Sequence, residues 1–231
     1  MYVPGVALRV LTWNLFHGRA VPPRDRDLMH DFSERLRTWE WDVALLQEVP
    51  PWWPPALAST CGAQQAMALT SRNQLLPLRR AVARRRPELI KSGGGGANAI
   101  LLRGGTVTAH ARRRLALWPE RRVVHAVRDG RGRWFANLHA TVHDDPRARR
   151  EIETARATAL RWAAGAPLVL GGDLNVRDPS VPGFVHAGGH TVDHLFATGG
   201  LSPAAPRELL DRGDLSDHAP VRVTLVADDE R

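Results

Sequence analysis

Short apolar runs of strand length recur along the chain and limit its possible folds more than any other feature of the sequence. Runs of roughly four to eight residues rich in valine, leucine and isoleucine are typical of β-strands. Several runs lack a polar face, so helices must cover both sides of a sheet or two sheets must pack face to face. The predicted strands are residues 7–14, 43–49, 99–103, 123–128, 134–141, 168–172, 192–197 and 220–226.

Two segments between these runs, residues 25–39 and 146–164, have the spacing of helices. In the second, Ile152, Ala155 and Ala159 recur at intervals of three or four residues and form one apolar face. Strands that alternate with helices indicate a layered α/β protein. A length of 231 residues fits one domain, and we expect residues 1–231 to form it.

Composition excludes several classes of protein. No run approaches the roughly 18 uninterrupted apolar residues of a membrane helix, so no transmembrane segment is predicted. Residues 1–10 lack the basic and apolar regions of an export signal, and we expect a cytoplasmic location. The single cysteine, Cys61, excludes an internal disulfide and a zinc site built from several cysteines.

The net charge of +8 has two explanations. Basic side chains neutralise phosphates, so the charge fits a nucleic-acid partner. All but one of the 32 basic residues are arginine, however, which equally fits a compositional bias of the coding sequence. A basic stretch at residues 79–91 leads into glycines 93–96 and predicts a loop, either a lid or a plain connector.

Polar residues stand at or beside the ends of the apolar strands. Because strand ends meet at the rim of a sheet, residues distant in sequence can share one cleft there. Unpaired carboxylates are costly to bury, so clustered acids at such a rim imply a cation among them. The candidate site residues are Asn14, Glu48, His139, Asp173, Asn175, Asp193, Asp217 and His218.

The implied cation is a hard one. The donors on offer from Asn14, Glu48, Asp173, Asn175 and Asp217 are oxygens, which suit magnesium, manganese or calcium better than zinc. Magnesium keeps most of its water and needs only one or two carboxylates plus substrate phosphate. We therefore expect Mg²⁺ as the cofactor, with Mn²⁺ as a substitute.

The histidines add acid–base groups to the site. With Asp193 bonded to its far nitrogen, His218 could take a proton from water or donate one to a phosphate. His139 would provide a second phosphate contact, and Asn175 can orient the attacking water. The base is left open between Asp173 and His218.

Six short motifs occur in an order that resembles the endonuclease/exonuclease/phosphatase superfamily, which has the deoxyribonuclease-I-like fold. They extend over residues 12–221, nearly the whole chain. The motifs are Thr12-Trp-Asn14-Leu, Leu46-Gln-Glu48-Val, Asn137-Leu-His139, Gly171-Gly-Asp173-Leu-Asn175, Val192-Asp193-His194-Leu-Phe and Ser216-Asp217-His218-Ala-Pro.

The resemblance implies an α/β fold, a four-layer sandwich of two packed mixed β-sheets flanked by helices, with a magnesium-dependent hydrolytic site between the sheets. It makes Asn14 and Glu48 metal ligands and Asp217 a further acid near the metal. It makes Asp173 with Asn175 the water-positioning pair and Asp193 with His218 an Asp–His pair. Fewer than 20 residues separate Asn175 from Asp193, which argues against a specialised DNA-repair enzyme.

The sequence thus predicts a divalent-metal-dependent phosphoesterase that hydrolyses phosphodiester bonds, with nucleic acid as the leading substrate class. One alternative keeps the site but changes the substrate to a phospholipid, a sugar phosphate or another small phosphoester. A second alternative is a non-catalytic domain that binds polyanions through its arginines. No protein partner is predicted, and we expect a monomer.

Overall fold

A computed structural model describes residues 7–70, 76–85, 96–118 and 120–228. The helices are α1 (Met29–Thr38), α2 (Pro54–Cys61), α3 (Leu76–Arg85) and α4 (Asp145–Ala163). The strands are β1 (Leu8–Asn14), β2 (Val43–Val49), β3 (Ala63–Thr70), β4 (Gly96–Arg103), β5 (Val107–Ala116), β6 (Arg122–Asp129), β7 (Trp134–His139), β8 (Leu168–Asp173), β9 (Val185–His190), β10 (Asp193–Thr198), β11 (Leu201–Pro203), β12 (Glu208–Leu209) and β13 (Val221–Ala227). Strands and helices alternate up to β4, as the sequence predicts, whereas β4 to β7 and β8 to β13 follow one another without a helix between them.

The strands form two mixed sheets. The first has the order β11-β13-β1-β2-β4-β3, with β12 also paired to β13. The second has the order β5-β6-β7-β8-β10-β9. Each sheet contains one parallel pair among antiparallel ones, β1 with β2 and β7 with β8.

Three apolar clusters show how the layers pack. The central cluster joins inner faces of the two sheets, for example Leu45 and Ile100 from the first with Phe135 and Val169 from the second. An outer cluster packs α1 and α2 on the first sheet. Another packs α4 on the second sheet, through residues such as Ile152. The predicted α/β sandwich of four layers is confirmed.

The parallel pairs determine where the site forms. In the first sheet Asn14 at the end of β1 lies beside Gln47 of β2. In the second sheet His139 at the end of β7 lies directly opposite Asp173 at the end of β8. The carboxyl ends of these four buried strands meet at one rim of the sandwich, as the polar strand ends in the sequence predict.

The structure corrects the predicted elements at polar or short segments. All eight predicted strands are present, but β3, β5, β9, β11, β12 and the helices α2 and α3 were not predicted. The first helix begins at Met29 rather than at residue 25, because the Asp27 side chain accepts a hydrogen bond from the Met29 N–H at 2.9 Å. This bond belongs to a turn and ends the extended segment before α1.

The predicted loop at residues 79–91 is partly helical, since α3 extends to Arg85. Residues 86–95 lie outside the described residues, and with them most of the predicted glycine loop at 93–96, whose last member begins β4. Within the described ranges, no helix combines the length and apolar character needed to cross a membrane.

Candidate active site

Asp173 is the centre of a polar cluster at the shared rim of the two sheets. Its Oδ2 accepts a hydrogen bond from Asn14 Nδ2 at 2.9 Å, and its Oδ1 accepts one from the Asn175 backbone N–H at 3.0 Å. The same Oδ2 lies 3.4 Å from His139 Nε2 and 3.8 Å from His218 Nε2. Four of the other seven predicted residues therefore surround this buried carboxylate.

Asn14 joins the two sheets across the cleft. Its side-chain oxygen accepts a hydrogen bond from the Phe16 N–H at 2.9 Å, while its amide group reaches Asp173 in the other sheet. The Asn14 carbonyl also accepts a bond from Ser216 Oγ at 2.7 Å. These contacts leave the buried amide little freedom to rotate.

Glu48 enters the site through an irregularity in β2. The register between β2 and β4 shifts between Leu46 and Val49, and Glu48 has a φ of 50°. A strand residue in this conformation directs its side chain away from the regular alternation. The carboxylate lies 3.0 Å from His17 Nε2 and 3.9 Å from His139 Nδ1.

Asp193 and His218 form the predicted acid–histidine pair. Oδ2 of Asp193 lies 2.7 Å from Nδ1 of His218, which directs Nε2 toward Asp173. The backbone of His218 is held as well, because its N–H donates to Ser216 Oγ at 3.1 Å and its carbonyl accepts from Trp13 Nε1 at 3.1 Å. The pair has the form of a positioned proton donor or acceptor.

Asp217 lies at the edge of the cluster rather than inside it. Its side chain is 44% exposed, and its Oδ1 is 3.9 Å from His218 Nε2. Its charge still reaches the site, because it acts to raise the pKa of Glu48 after the larger effects of burial and of Asp173. Asp217 is thus placed to meet a ligand from the solvent side.

Gly172 allows Asp173 to reach its position. Its φ is +135°, a conformation that residues with side chains rarely adopt, and a Cβ there would lie 2.0 Å from the Leu138 carbonyl oxygen. The close approach of β8 to β7 therefore requires glycine. Beyond it, Asn175 Nδ2 donates to the Ala140 carbonyl at 2.9 Å and connects the β8 turn to the end of β7.

Burial strongly affects the protonation of the cluster. It raises the pKa of Glu48 to about 7, with a further contribution from Asp173, and it also raises the pKa values of Asp173 and Asp193. Burial lowers the pKa of His139 well below its ordinary value, so this imidazole is neutral at pH 7. Burial also opposes the charge on His218, but the hydrogen bond to Asp193 and the nearby carboxylates outweigh it and raise the pKa to about 9.

Two residues that were not predicted belong to the site. His17 lies in the short 3-10 turn Phe16–Gly18 and contacts Glu48. Its φ of 54° is not indicated by any pattern in the sequence. Arg122 is 4% exposed and lies 2.9 Å from Glu120, while its Nε has no hydrogen-bond partner among the described residues. Its charge opposes the effect of burial on Glu48 and on Asp173. Arg121 and Arg122 are adjacent arginines, and nothing in the sequence indicates that Arg122 is the buried one.

The donor atoms of the cluster suit a hard divalent cation. The buried Oδ1 of Asp193 has no hydrogen-bond partner within the described chain. Burial also raises the pKa values of Glu48, Asp173 and Asp193, because the positive charge around these carboxyl groups does not compensate for their desolvation. Ligand atoms of Asp173, Asp193 and His218 all lie within 4.8 Å of one another. The short hydrogen bond between Asp193 and His218 accounts for part of that closeness, and Glu48, whose side chain is 18% exposed, is more accessible than Asp173 or Asp193.

Two face-to-face mixed sheets with an acid and histidine cluster at one rim define the class of deoxyribonuclease-I-like α/β sandwich proteins. Within that class, residues 11–218 match the model of the family described as Endonuclease/Exonuclease/phosphatase, and the chain belongs to this family. Members of the family are phosphoester hydrolases and include nucleases and phosphatases. No curated protein is significantly similar to the chain in sequence.

Solved structures of the same fold are similar over nearly the whole chain. An endonuclease/exonuclease/phosphatase from Beutenbergia cavernae has a TM-score of 0.69 at 18% identity, over 96% of this chain and 72% of that one. Truncated TDP2 from Caenorhabditis elegans has a TM-score of 0.69 at 17% identity, over 97% and 99%. A functionally unknown conserved protein from Enterococcus faecalis has a TM-score of 0.71 at 14% identity, over 95% and 100%. At these identities the similarity establishes the fold alone.

Proposed function

We propose that the protein is a divalent-metal-dependent phosphodiesterase whose substrate is nucleic acid. The observation that carries the proposal is the convergence of Asn14, His139, Asn175 and His218 on the buried carboxylate of Asp173. Such a set of acid, amide and imidazole groups can bind a phosphate, position a water molecule and transfer a proton.

Glu48 and Asn14 would hold Mg²⁺, with Asp217 completing the site from the solvent side. All three offer oxygen donors, and Mn²⁺ would substitute. When bound, the ion would neutralise charge on the phosphate and orient the attacking water. Asp217, whose side chain is 44% exposed, would add its carboxylate at the solvent side.

His218 acts as a proton donor in this proposal. Its pKa of about 9 keeps the imidazole charged at pH 7, and Nδ1 is already bonded to Asp193. Nε2 therefore donates toward a phosphate or leaving-group oxygen. A charged His218 cannot accept the proton of water, which assigns the role of base to Asp173.

Asp173 is suited to that role by its surroundings. Burial raises its pKa and makes it a stronger base than an exposed aspartate, while Asn14 and the Asn175 N–H hold its two oxygens in place. Neutral His139 lies beside it at 3.4 Å and can donate to a second phosphate oxygen. Arg122 provides positive charge at the same end of the cleft.

Nucleic acid is the substrate class favoured by charge. The net charge of +8 attracts a polyanion, and a metal ion would screen the acids of the active-site rim. The cytoplasmic location, the monomeric state and the single domain of residues 1–231 belong to the same proposal.

A hydrolysis panel tests the proposal. Supercoiled plasmid, a single-stranded oligonucleotide, bis(p-nitrophenyl) phosphate, p-nitrophenyl phosphate and phospholipid would be compared in Mg²⁺ and in EDTA. We expect Mg²⁺-dependent cleavage of the nucleic acids and of the small diester. Release of phosphate from monoesters alone would reassign the substrate to small phosphoesters, and cleavage of phospholipid alone would reassign it to lipid.

A further inference from the structure

The hairpin formed by β5 and β6 brings its tip to the same end of the sandwich as the active site. His139 pairs with Asp173, Leu138 of the same strand pairs with Val124 of β6, and Arg122 of β6 pairs with Ala116 of β5. Arg122 is therefore two strands away from Asp173 and Ala116 three strands away, lateral distances of about 10 Å and about 14 Å at the usual strand spacing.

The side chains of this hairpin combine positive charge with exposed apolar groups. β5 is the edge strand of its sheet, and its arginines are followed by Leu117 at 59% exposure and Trp118 at 68% exposure. Val142, in the segment that follows His139, adds a third apolar group at 45% exposure. The exposed arginines in the half of the hairpin nearest the tip are Arg112, Arg113, Arg114 and Arg121.

The tip is held in place by contacts that leave the indole at the surface. An Nη2 group of Arg147, on α4, donates to the Trp118 carbonyl. Glu120 forms an ion pair with the buried Arg122 at 2.9 Å, and Arg113 donates to Thr158 Oγ1 at 2.8 Å. The residues on either side of the tip are thus held by α4 and by the buried Arg122, which reduces the ordering cost of binding a ligand there.

We propose that the outer edge of this hairpin and the described residues of its tip, 112–118 and 120–121, form a subsite for an unpaired nucleotide strand, in which Trp118 stacks on a base and the exposed arginines contact phosphates. The inference rests on the proposed phosphodiesterase function and specifies its substrate. Surfaces that bind single strands combine a basic path with aromatic side chains, because every base has a π-face. A phosphate beside Asp173 would place a neighbouring nucleotide within reach of Trp118.

The geometry favours a single strand over the other possible ligands. In a duplex the faces of the bases are covered by stacked neighbours, so the indole could not stack without displacing one. A membrane surface also attracts tryptophan and arginine, but it has no requirement for a tip about 10 to 14 Å from the catalytic carboxylate. The distance matches a ligand that occupies both places at once.

Binding of defined probes in EDTA tests the subsite without turnover. A labelled single strand of about 12 nucleotides, the corresponding blunt duplex and vesicles containing phosphatidylserine would be titrated against wild-type protein. We expect Trp118→Ala to weaken binding of the single strand about tenfold. Trp118→Phe should restore most of that affinity, because a phenyl ring can also stack. The exposure of Trp118 makes unfolding of either variant a minor concern, and thermal melting would check it.

Arg131→Ala provides the matched control for the arginines. Arg131 is an exposed arginine in the turn between β6 and β7, at the opposite end of the same sheet. The variant Arg114→Ala should weaken single-strand binding and reduce its dependence on salt, whereas Arg131→Ala, which also removes one charge, should leave both unchanged. Equal effects of the two variants would overturn the subsite in favour of general charge attraction.

Hydrolysis of bis(p-nitrophenyl) phosphate separates this inference from the proposed function. The small diester does not extend to Trp118, so Trp118→Ala should hydrolyse it at the wild-type rate. If wild-type protein hydrolyses the diester but Trp118→Ala binds the single strand as tightly as wild type, the subsite is wrong and the function stands. If binding depends on Trp118 but no diester is hydrolysed, the subsite stands and the function fails. A loss of vesicle binding without loss of oligonucleotide binding would also overturn the subsite.

Discussion

Nδ1 of His218 lies 2.7 Å from Oδ2 of Asp193, although Asp193 begins β10 of the second sheet and His218 lies 25 positions later, in the segment before β13 of the first sheet. The bond orients the imidazole so that Nε2 faces Asp173. Together with the neighbouring carboxylates, it outweighs the effect of burial and keeps His218 charged at neutral pH. The acid–base behaviour of the site therefore depends on this contact.

Asp193→Asn should lower the pKa of His218 by more than about one unit, because the variant removes the carboxylate that stabilises the imidazolium. We expect turnover to fall by about 10²- to 10⁴-fold, the usual contribution of a general acid. Because His218 must be protonated to donate, the remaining activity should begin to fall at a lower pH than the activity of wild type does. NMR titration of the His218 ring gives the pKa directly, and an unchanged value would contradict the assigned role of Asp193.

Glu48→Gln should remove the response of the protein to Mg²⁺. A ligand that binds only the folded state stabilises it by about 2.7 kcal/mol at 100 times its Kd, which raises the melting temperature. We expect Mg²⁺ to raise the Tm of wild type but not of Glu48→Gln. Glu153→Gln, which alters an exposed glutamate on α4, should respond like wild type. A wild-type response in Glu48→Gln would place the ion elsewhere.

Gly172→Ala should separate β8 from β7 and displace Asp173. The new Cβ would lie 2.0 Å from the Leu138 carbonyl oxygen at a φ of +135°, so both overlap and backbone strain oppose it. We expect a loss of about 3 kcal/mol or more in unfolding free energy. Gly183→Ala is the matched control, since its φ is +81° but a Cβ there meets nothing within 4 Å. It should cost only about 1 kcal/mol, and equal losses in urea denaturation would exclude the close approach as the cause.

The His110–His125 contact should make stability depend on pH. Their ring nitrogens lie 3.3 Å apart, and burial lowers the pKa of His125 to about 3. In the unfolded chain the value is about 6.5, so the unfolded state binds more protons as pH falls from 6.5 toward 3 and folding loses free energy. At pH 5 this loss is about 2 kcal/mol relative to pH 7. The free energy of unfolding, measured in urea, should differ less between pH 7 and pH 5 for His125→Gln than for wild type. An equal difference in the two proteins would show that other groups cause the pH dependence.

Much of the architecture could be predicted from the sequence because buried strands have continuous apolar runs. Leu45 and Val169 belong to two such runs, and both lie in the cluster between the sheets. The edge strand β5 could not be predicted in this way, because Arg112 and Arg114 interrupt its apolar pattern and only one face packs on α4. An edge strand needs fewer apolar residues than a central one, so its sequence carries less signal.

The candidate site was predicted to the extent that its residues follow apolar strands. Asn14, His139 and Asp173 end β1, β7 and β8, and the order of the strands alone brings them together. His17 was not predicted because it lies in a short turn after β1, where a positive φ accompanies its contact with Glu48. The exposure of Asp217 depends on the path of the chain before β13, which no local pattern encodes.

The central claim is that the cluster around Asp173 hydrolyses phosphodiesters with a divalent metal. Its most direct test is the rate of bis(p-nitrophenyl) phosphate hydrolysis in Mg²⁺ and in EDTA. The rate would be measured for wild type, for Asp173→Asn and for the Glu153→Gln control, after thermal melting has shown that the three proteins are equally stable. We expect activity in Mg²⁺ that EDTA abolishes, that Asp173→Asn reduces by at least about 10²-fold and that Glu153→Gln retains. Equal rates in wild type and Asp173→Asn, or activity that persists in EDTA, would contradict the claim.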